Sequence, residues 1–291
     1  MKPVIHRQET FLDGRIVLLH ANSMELLQDW KLEKPDHCFT DPPYIDAVHK
    51  GARKNVKGGG RAVELGINFA CFTEEDCQNL ARNVAKIVDG WMIYFCAWEH
   101  VIEYVNAVRM DDPKAWGGQG VWKKVTPTLV MTKNKETGLS DRPAPVGEMC
   151  AIIHGSRKKA SINSVKPPFW EMDVERGLKL HPNQKPPALF RDIIDQYSQP
   201  DDLILEPFMG SATTVRAAIE TGRRVIAIEM YPKPDQPITD LLDVTGKNPD
   251  YFGLACKRTQ EAVDNLTATG FVTKNTAKGV KVAPSTNIGL V

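Results

Sequence analysis

Short apolar runs alternate with amphipathic stretches along most of the chain. RIVLL (15–19) predicts a buried strand, and Asn22 or Ser23 can cap the helix that follows, with Met24, Leu27 and Trp30 on one face. The run from His37 to Thr40 predicts a second strand that leads directly into Asp41-Pro42-Pro43-Tyr44. Thr73-Glu74-Glu75-Asp76 opens a helix whose Leu80, Val84, Ile87 and Val88 recur at helical spacing, and Asp89-Gly90 ends it. WMIYFCAW then predicts a buried parallel strand, EHVIEYVNAVRM a helix and VWKKVTPTLVM a further strand. After residue 180 come a helix over PPALFRDIIDQYS with Pro186 and Pro187 in its first turn, strand LILE, helix TVRAAIETG stopped by Gly222, and strand RRVIAIEM.

Elsewhere the pattern weakens. Residues 45–70 are rich in Gly and Lys/Arg and read as a long loop, and the polar tail at 270–291 reads as frayed. Prolines and polar residues dominate from 132 to 180, which reads as a variable insertion. Strands alternating with helices define the class: α/β, a doubly wound, mostly parallel sheet with helices on both faces. The expected organisation is one domain with a first half over 15–131, the insertion over 132–180 and a second half over 181–262.

Composition narrows the setting. With 291 residues, 42% of them hydrophobic, the chain can bury a full core; its net charge of +1 argues against a wholly basic coat yet allows a local basic face. Six cysteines are scattered with no C-x-x-C and no paired histidines, which points to a reduced, cytoplasmic setting without a disulfide framework or a metal site. No apolar run approaches the roughly 18 residues of a membrane span, and the first residues lack the apolar core of a signal peptide, so no membrane partner is expected.

Two loops carry the candidate chemistry. In EPFMGSATT (206–214), Gly210 can take a positive φ and bring backbone close to a ligand, and the amides of Ser211 to Thr214 open a helix and form an anion seat. Glu229, ending the next strand, can accept from ribose hydroxyls. The loop lacks both G-x-G-x-x-G and a P-loop lysine, which points to a ribose-bearing ligand with a modest anion, such as the carboxylate of S-adenosylmethionine. On these residues alone an ordinary βα turn remains the alternative. In Asp41-Pro42-Pro43-Tyr44 the prolines fix φ and remove two donors. The Asp41 carboxylate and the Asp41 and Pro42 carbonyls can then accept from an exocyclic amine while Tyr44 stacks on its ring. Drawing those hydrogens away turns the amine lone pair toward an in-line methyl, a chemistry of positioning and electrostatics.

Taken together, TDPPY (40–44), HPNQKP (181–186) and EPFMGSATT, with LLHANSMELL (18–27) ahead of them, resemble DNA amino-methyltransferases of the adenine-N6/cytosine-N4 family in the permuted order that puts the catalytic motif first. The resemblance spans about 15–260. It implies a Rossmann-like methyltransferase fold, S-adenosylmethionine as cofactor and DNA as partner, in a bacterial or phage setting where restriction–modification and homodimers are frequent. It makes Asp41, Pro42, Pro43 and Tyr44 catalytic. It puts Asn22, Asp41, Glu206, Phe208, Gly210, Ser211, Thr213 and Glu229 at the cofactor, with Asn183, Gln184 and Lys185 beside its methionine end. Three positions depart from the family pattern: Ala212 replaces a second glycine, and Asn22 and Glu206 each replace an aspartate. Asp41 favours adenine N6, since serine there is the more usual sign of cytosine N4. Cytosine N4 is the alternative, and a DNA- or cofactor-binding protein without turnover is a third reading.

An amine inside a duplex cannot reach such a pocket, so the base must be flipped out or already single-stranded. Lys50, Arg53, Lys54, Lys57 and Arg61 lie in a stretch without acids that ends in three glycines, a hinged phosphate clamp. Arg157, Lys158 and Lys159 offer a second DNA contact inside the insertion. Phe169 and Trp170 are candidates to stack on bases, whereas Trp116 and Trp122 read as core. Neutralising Arg53, Lys54 and Lys57 together is expected to weaken DNA binding at every sequence and to lower the slope of log affinity against log salt by about 2 to 3. An unchanged slope in a salt titration would remove the clamp.

Overall fold

The computed structural model describes residues 3–43, 72–96, 100–109, 122–132, 149–156, 162–163, 169–172, 185–239 and 248–268. The strands are β1 (Ile5–Phe11), β2 (Ile16–Ala21), β3 (His37–Thr40), β4 (Trp91–Cys96), β5 (Trp122–Thr132), β6 (Met149–Ser156), β7 (Phe169–Met172), β8 (Leu203–Glu206) and β9 (Arg224–Glu229). The helices are α1 (Ser23–Gln28), α2 (Glu74–Ile87), α3 (Val101–Arg109), α4 (Pro187–Tyr197), α5 (Thr213–Glu220) and α6 (Tyr251–Ala268). The described strands form one sheet in the order β1-β2-β9-β8-β3-β4-β6-β5-β7. From β2 to β4 every neighbouring pair is parallel. β1 runs antiparallel on one edge, and β6 runs antiparallel between β4 and β5.

Why continuous apolar runs became these strands is visible in how their residues divide. Ile16, Leu18, Phe39, Ile93, Phe95, Ile204, Val225 and Ala227 meet Leu189, Ile193, Val215 and Phe252 of α4, α5 and α6. Their neighbours Val17, Leu19, Cys38, Met92, Tyr94, Leu205 and Ile226 meet Leu26 of α1, Leu80 and Val84 of α2 and Tyr104 of α3. Alternate side chains on a strand point to opposite faces, so burying both faces demands apolar residues at every position. The doubly wound α/β sheet expected from the sequence is the one observed.

Local signals placed the helix starts. Thr73 and Asp76 form a reciprocal capping box at α2, and Pro187 occupies the first turn of α4. Gly222, with φ of +74°, follows the end of α5.

Three regions differ from the sequence expectation. The segment 132–180, read as an insertion, contributes β6 and β7 to the sheet itself, and β6 pairs along the whole of β4. Trp170 does not offer its ring to bases. It is buried in the core beside Tyr197, at a ring distance of 6.4 Å. β1 and α6 had no counterpart in the hydrophobic pattern; β1 is an edge strand with mixed exposure, and α6 breaks its apolar stripe with the buried Arg258 and Thr259. Trp116 lies outside the described residues.

Polar contacts lace the amino-terminal edge of the sheet. Trp91 N–H donates to His37 Nδ1 at 2.9 Å, which puts the ring hydrogen on Nε2, where it is donated to Asp202 at 3.0 Å. This joins β3, β4 and the turn before β8 through one imidazole. Gly90 packs against it, and a Cβ there would stand 2.4 Å from His37 Nδ1 and 2.6 Å from the Asp36 carbonyl. Gly90→Ala is therefore expected to displace the ring, strand the buried Trp91 amide and cost about 1–3 kcal/mol. Urea unfolding tests this: the midpoint should fall with the slope unchanged, and an unaltered midpoint would show that the ring can move at no cost.

Candidate active site

β3 and β8 are neighbours in the sheet, but the chain leaves them on opposite faces: from β3 it passes α2 to reach β4, and from β8 it passes α5 to reach β9. Open α/β sheets bind ligands at the carboxyl edge where the winding reverses in this way. Asp41 follows β3, and the Gly210 loop follows β8. Both motif loops thus flank one crevice.

A buried carboxylate joins them. Glu206, 2% exposed, accepts from Thr40 Oγ1 at 2.5 Å and from Phe208 N at 3.1 Å on one oxygen, and from Thr214 Oγ1 at 2.6 Å on the other. It therefore ties the end of β3 to both the loop and the first turn of α5. Burial pushes its carboxyl up to about 7; the three hydrogen bonds oppose that shift, and the charge of Asp41 adds to it.

Glu229 forms a second tie at the neighbouring strand. Its oxygens accept from Gly210 N at 3.0 Å and Tyr231 N at 2.9 Å, holding the loops after β8 and β9 together. Burial raises it to about 7 as well, against those backbone hydrogen bonds. A carboxylate has further lone pairs beyond these two, so an acceptor for ligand hydroxyls is in place.

The Gly210 loop is wound tightly. Gly210 has φ of +46° and Ala212 a left-handed φ of +61°, so the position where the family pattern has its second glycine does carry the conformation that favours glycine. Ala212 meets this demand with a fully buried Cβ that joins the core of the α4–α5–α6 face. On that side Arg258 of α6, 4% exposed, donates to the Ser211 carbonyl at 2.7 Å. The sequence reading missed Arg258, although a cation inside an apolar helical stripe is itself a signal. It also passed over Thr40 and Thr214, which stand inside the quoted motifs.

The remaining candidates are distributed as follows. Pro42 is buried, with Pro43 and Asp41 half-buried beside it. Phe208 meets Phe72 edge-on at 5.4 Å. Ser211 and Thr213 are buried, their hydroxyls 3.5 Å apart. Lys185 reaches across from the start of α4 to Asp41, Nζ to Oδ2 at 2.5 Å. Asn22 spends its amide on α1, accepting from Met24 N and donating to Glu25, both at 3.0 Å. Tyr44, Lys50, Arg53, Lys54, Lys57, Arg61, Arg157, Lys158, Lys159, Asn183 and Gln184 lie outside the described residues.

The two buried acids generate opposite expectations for amide substitution. A carboxyl raised from 4.5 to about 7 by folding holds its proton more tightly in the folded chain. Its contribution to stability is complete below about pH 4.5 and lost as the pH rises through about 7, a difference of about 3 kcal/mol. In Glu206→Gln, the amide oxygen can keep the Thr40 hydroxyl and the Phe208 N–H, while the Thr214 hydroxyl rotates to accept from the amide NH2. This variant should match the wild type at pH 5 and exceed its stability at pH 8. Glu229→Gln would turn an NH2 toward a backbone N–H that cannot rotate away, and should be less stable at both pH values. Urea unfolding across pH 5–8 distinguishes them, and a Glu206→Gln variant with the wild-type pH slope would contradict the assignment.

The comparisons with known proteins fit this geometry. The family model for DNA methylases of the N6/N4 type matches residues 81–234, from within α2 to the loop after β9. The DNA adenine methyltransferase YhdJ of Escherichia coli is 52% identical over 247 residues, covering 73% of this chain and 78% of that protein. The type II methyltransferase M2.DpnII of Streptococcus pneumoniae is 26% identical over 232 residues, covering 74% and 85%. Among solved structures, the M1.HpyAVI–SAM complex aligns with a TM-score of 0.56 at 21% identity, over 84% of this chain and 99% of that one. The cytosine-N4-specific PvuII DNA methyltransferase aligns at 0.55 and 16% identity, over 89% and 96%. The two structures speak for the fold alone, whereas the family match over more than half of the chain and the likeness to YhdJ settle its kinship: this protein belongs to the N6/N4 DNA methylase family.

Proposed function

We propose that the protein methylates the N6 amine of adenine in DNA, with S-adenosylmethionine as methyl donor. The observation that carries this reading is the Thr40–Glu206–Thr214 bridge, which brings an amine-accepting loop and a nucleoside-binding loop together at one switch point, 166 positions apart in sequence. The donor set fits the cofactor: Glu229 accepts from hydroxyls, Phe208 supplies an aromatic face, and the amides at the start of α5 face an anion. Bound there, the cofactor supplies a sulfonium methyl group. The protein's own contribution is to place the amine. Asp41 and the Pro42 carbonyl accept its hydrogens, the prolines offer no competing donor, and Tyr44 follows directly to stack on the ring.

Adenine is favoured over cytosine by Asp41 at the head of the motif, and the name of the 52% identical relative supports it. The reading extends to the regions that contact DNA. The base is taken out of the helix, residues 49–61 clamp phosphates, and Arg157, Lys158 and Lys159 help the 132–180 segment to recognise the target.

The test is methylation of mixed genomic DNA, digestion to nucleosides and identification of the modified base by mass. N6-methyldeoxyadenosine is expected, with Asp41→Ala lowering the rate by about 100-fold or more. N4-methyldeoxycytidine would overturn the choice of base, and no incorporation by the wild type would overturn the activity.

A further inference from the structure

We propose that Lys185 is a positioning residue for the catalytic carboxylate, holding Asp41 in place for the target amine, rather than a seat for the methionine end of the cofactor. The proposal rests on the activity proposed above and departs from what the motif HPNQKP suggests for this lysine.

Three observations converge on it. The first is the contact itself: Lys185 Nζ lies 2.5 Å from Asp41 Oδ2, joining residues 144 positions apart. The second is burial. The two side chains are only 10% and 21% exposed, so this is not a surface lysine that settles on the nearest acid. A charge pair withdrawn from water holds its geometry, because losing either partner leaves the other charge uncompensated. The third is the way the lysine is delivered. Pro186 and Pro187 follow it, which disfavours helical backbone at Lys185 and starts α4 immediately afterwards. α4 is anchored through Leu189, Phe190 and Ile193 in the same core cluster as Val215 of α5 and Ile204 of β8. The ammonium is therefore carried by a rigid element of the cofactor half and applied to the base-holding half.

The local charge balance gives the contact its purpose. Asp41 and Glu206 are close enough for the aspartate charge to bear on the buried glutamate, and Thr40 hydrogen-bonds the glutamate from the residue next to Asp41. Two acids so placed repel each other, and a cation on one of them offsets that repulsion. An ammonium suits the task, being a compact point charge with three donors that can hold one carboxylate oxygen without spanning both. A carboxylate offers about four lone-pair directions, and an ammonium on Oδ2 restricts which way the group can turn. Lys185 thus acts on the reaction through Asp41.

Cofactor binding and turnover are separable readouts. The full-length wild type, Lys185→Met and Lys185→Arg are compared by calorimetry with S-adenosylmethionine, and by initial rates on adenine-containing duplex DNA at saturating cofactor. If Lys185 serves Asp41, Lys185→Met should keep its cofactor Kd within about 3-fold and lose about 10- to 100-fold in kcat, with Lys185→Arg recovering some of that loss. Lys185→Gln, which keeps polarity without charge, repeats the measurement if the Met variant fails to fold, as checked by thermal melting. A Kd raised about 10-fold or more with kcat preserved would place Lys185 on the cofactor and overturn the proposal. Unchanged values for both would overturn it too. Those outcomes require an active wild type. A wild type that transfers no methyl to any DNA overturns the proposed activity, and this assignment falls with it.

Discussion

The arrangement of the site depends on a carboxylate that pays a solvation penalty to stand where it does. Glu206 is removed from water and surrounded by two hydroxyls and one backbone amide, and through them it holds the end of β3, the Gly210 loop and the first turn of α5 as one piece. Without it, the Asp41 loop and the Gly210 loop would be adjacent only because their strands are adjacent. Glu229 repeats the device between the loops after β8 and β9. Each of the two Glu229 oxygens faces a backbone N–H that an amide of the same size could not satisfy on both sides, which explains why an acid is tolerated there although burial disfavours its charge.

The two edges of the sheet consequently differ in character. At the amino-terminal edge, charges are matched: Arg15 pairs with Asp201, Arg224 with Glu33, and Arg223 with Asp195, while the His37 imidazole bridges strands. At the carboxyl edge, negative groups gather around the crevice at Asp41, Glu206 and Glu229, and Ala212 holds a left-handed backbone. Buried acids and left-handed backbone thus collect at this edge, where open α/β sheets bind ligands, and matched charge pairs at the other.

Most of the architecture could be read in the sequence because a parallel sheet covered on both faces needs unbroken apolar strands, and β2, β3, β4 and β8 advertise themselves in that way. Capping residues such as Thr73 and Pro187 marked where helices begin. What escaped did so for physical reasons. β1 buries Ile5 but leaves most of its length partly exposed, so it shows no sustained period. β6 lies among prolines and polar residues that masked its role as an antiparallel partner of β4. The motifs identified which residues matter more readily than what each one touches. Asn22 was legible as a helix cap because its partners lie two and three residues away, whereas Lys185 could not be assigned to Asp41, because that partnership arises from packing between segments far apart in the chain.

The strand order also bears on how the molecule assembles. β2 pairs with β9 and β3 with β8, so two strands of the chain's second half are inserted between two strands of its first half. During synthesis, β2 and β3 emerge early, yet their inner partners appear only when the chain has grown past Glu229. Until then the first half exposes two unpaired strand edges and lacks the helices that cover one of its faces. Topologies dominated by such distant pairings fold slowly and spend longer open to mispairing. The permuted order that makes the Asp41 motif first therefore sets a kinetic burden on the nascent chain, which must keep those two edges apart until its second half arrives.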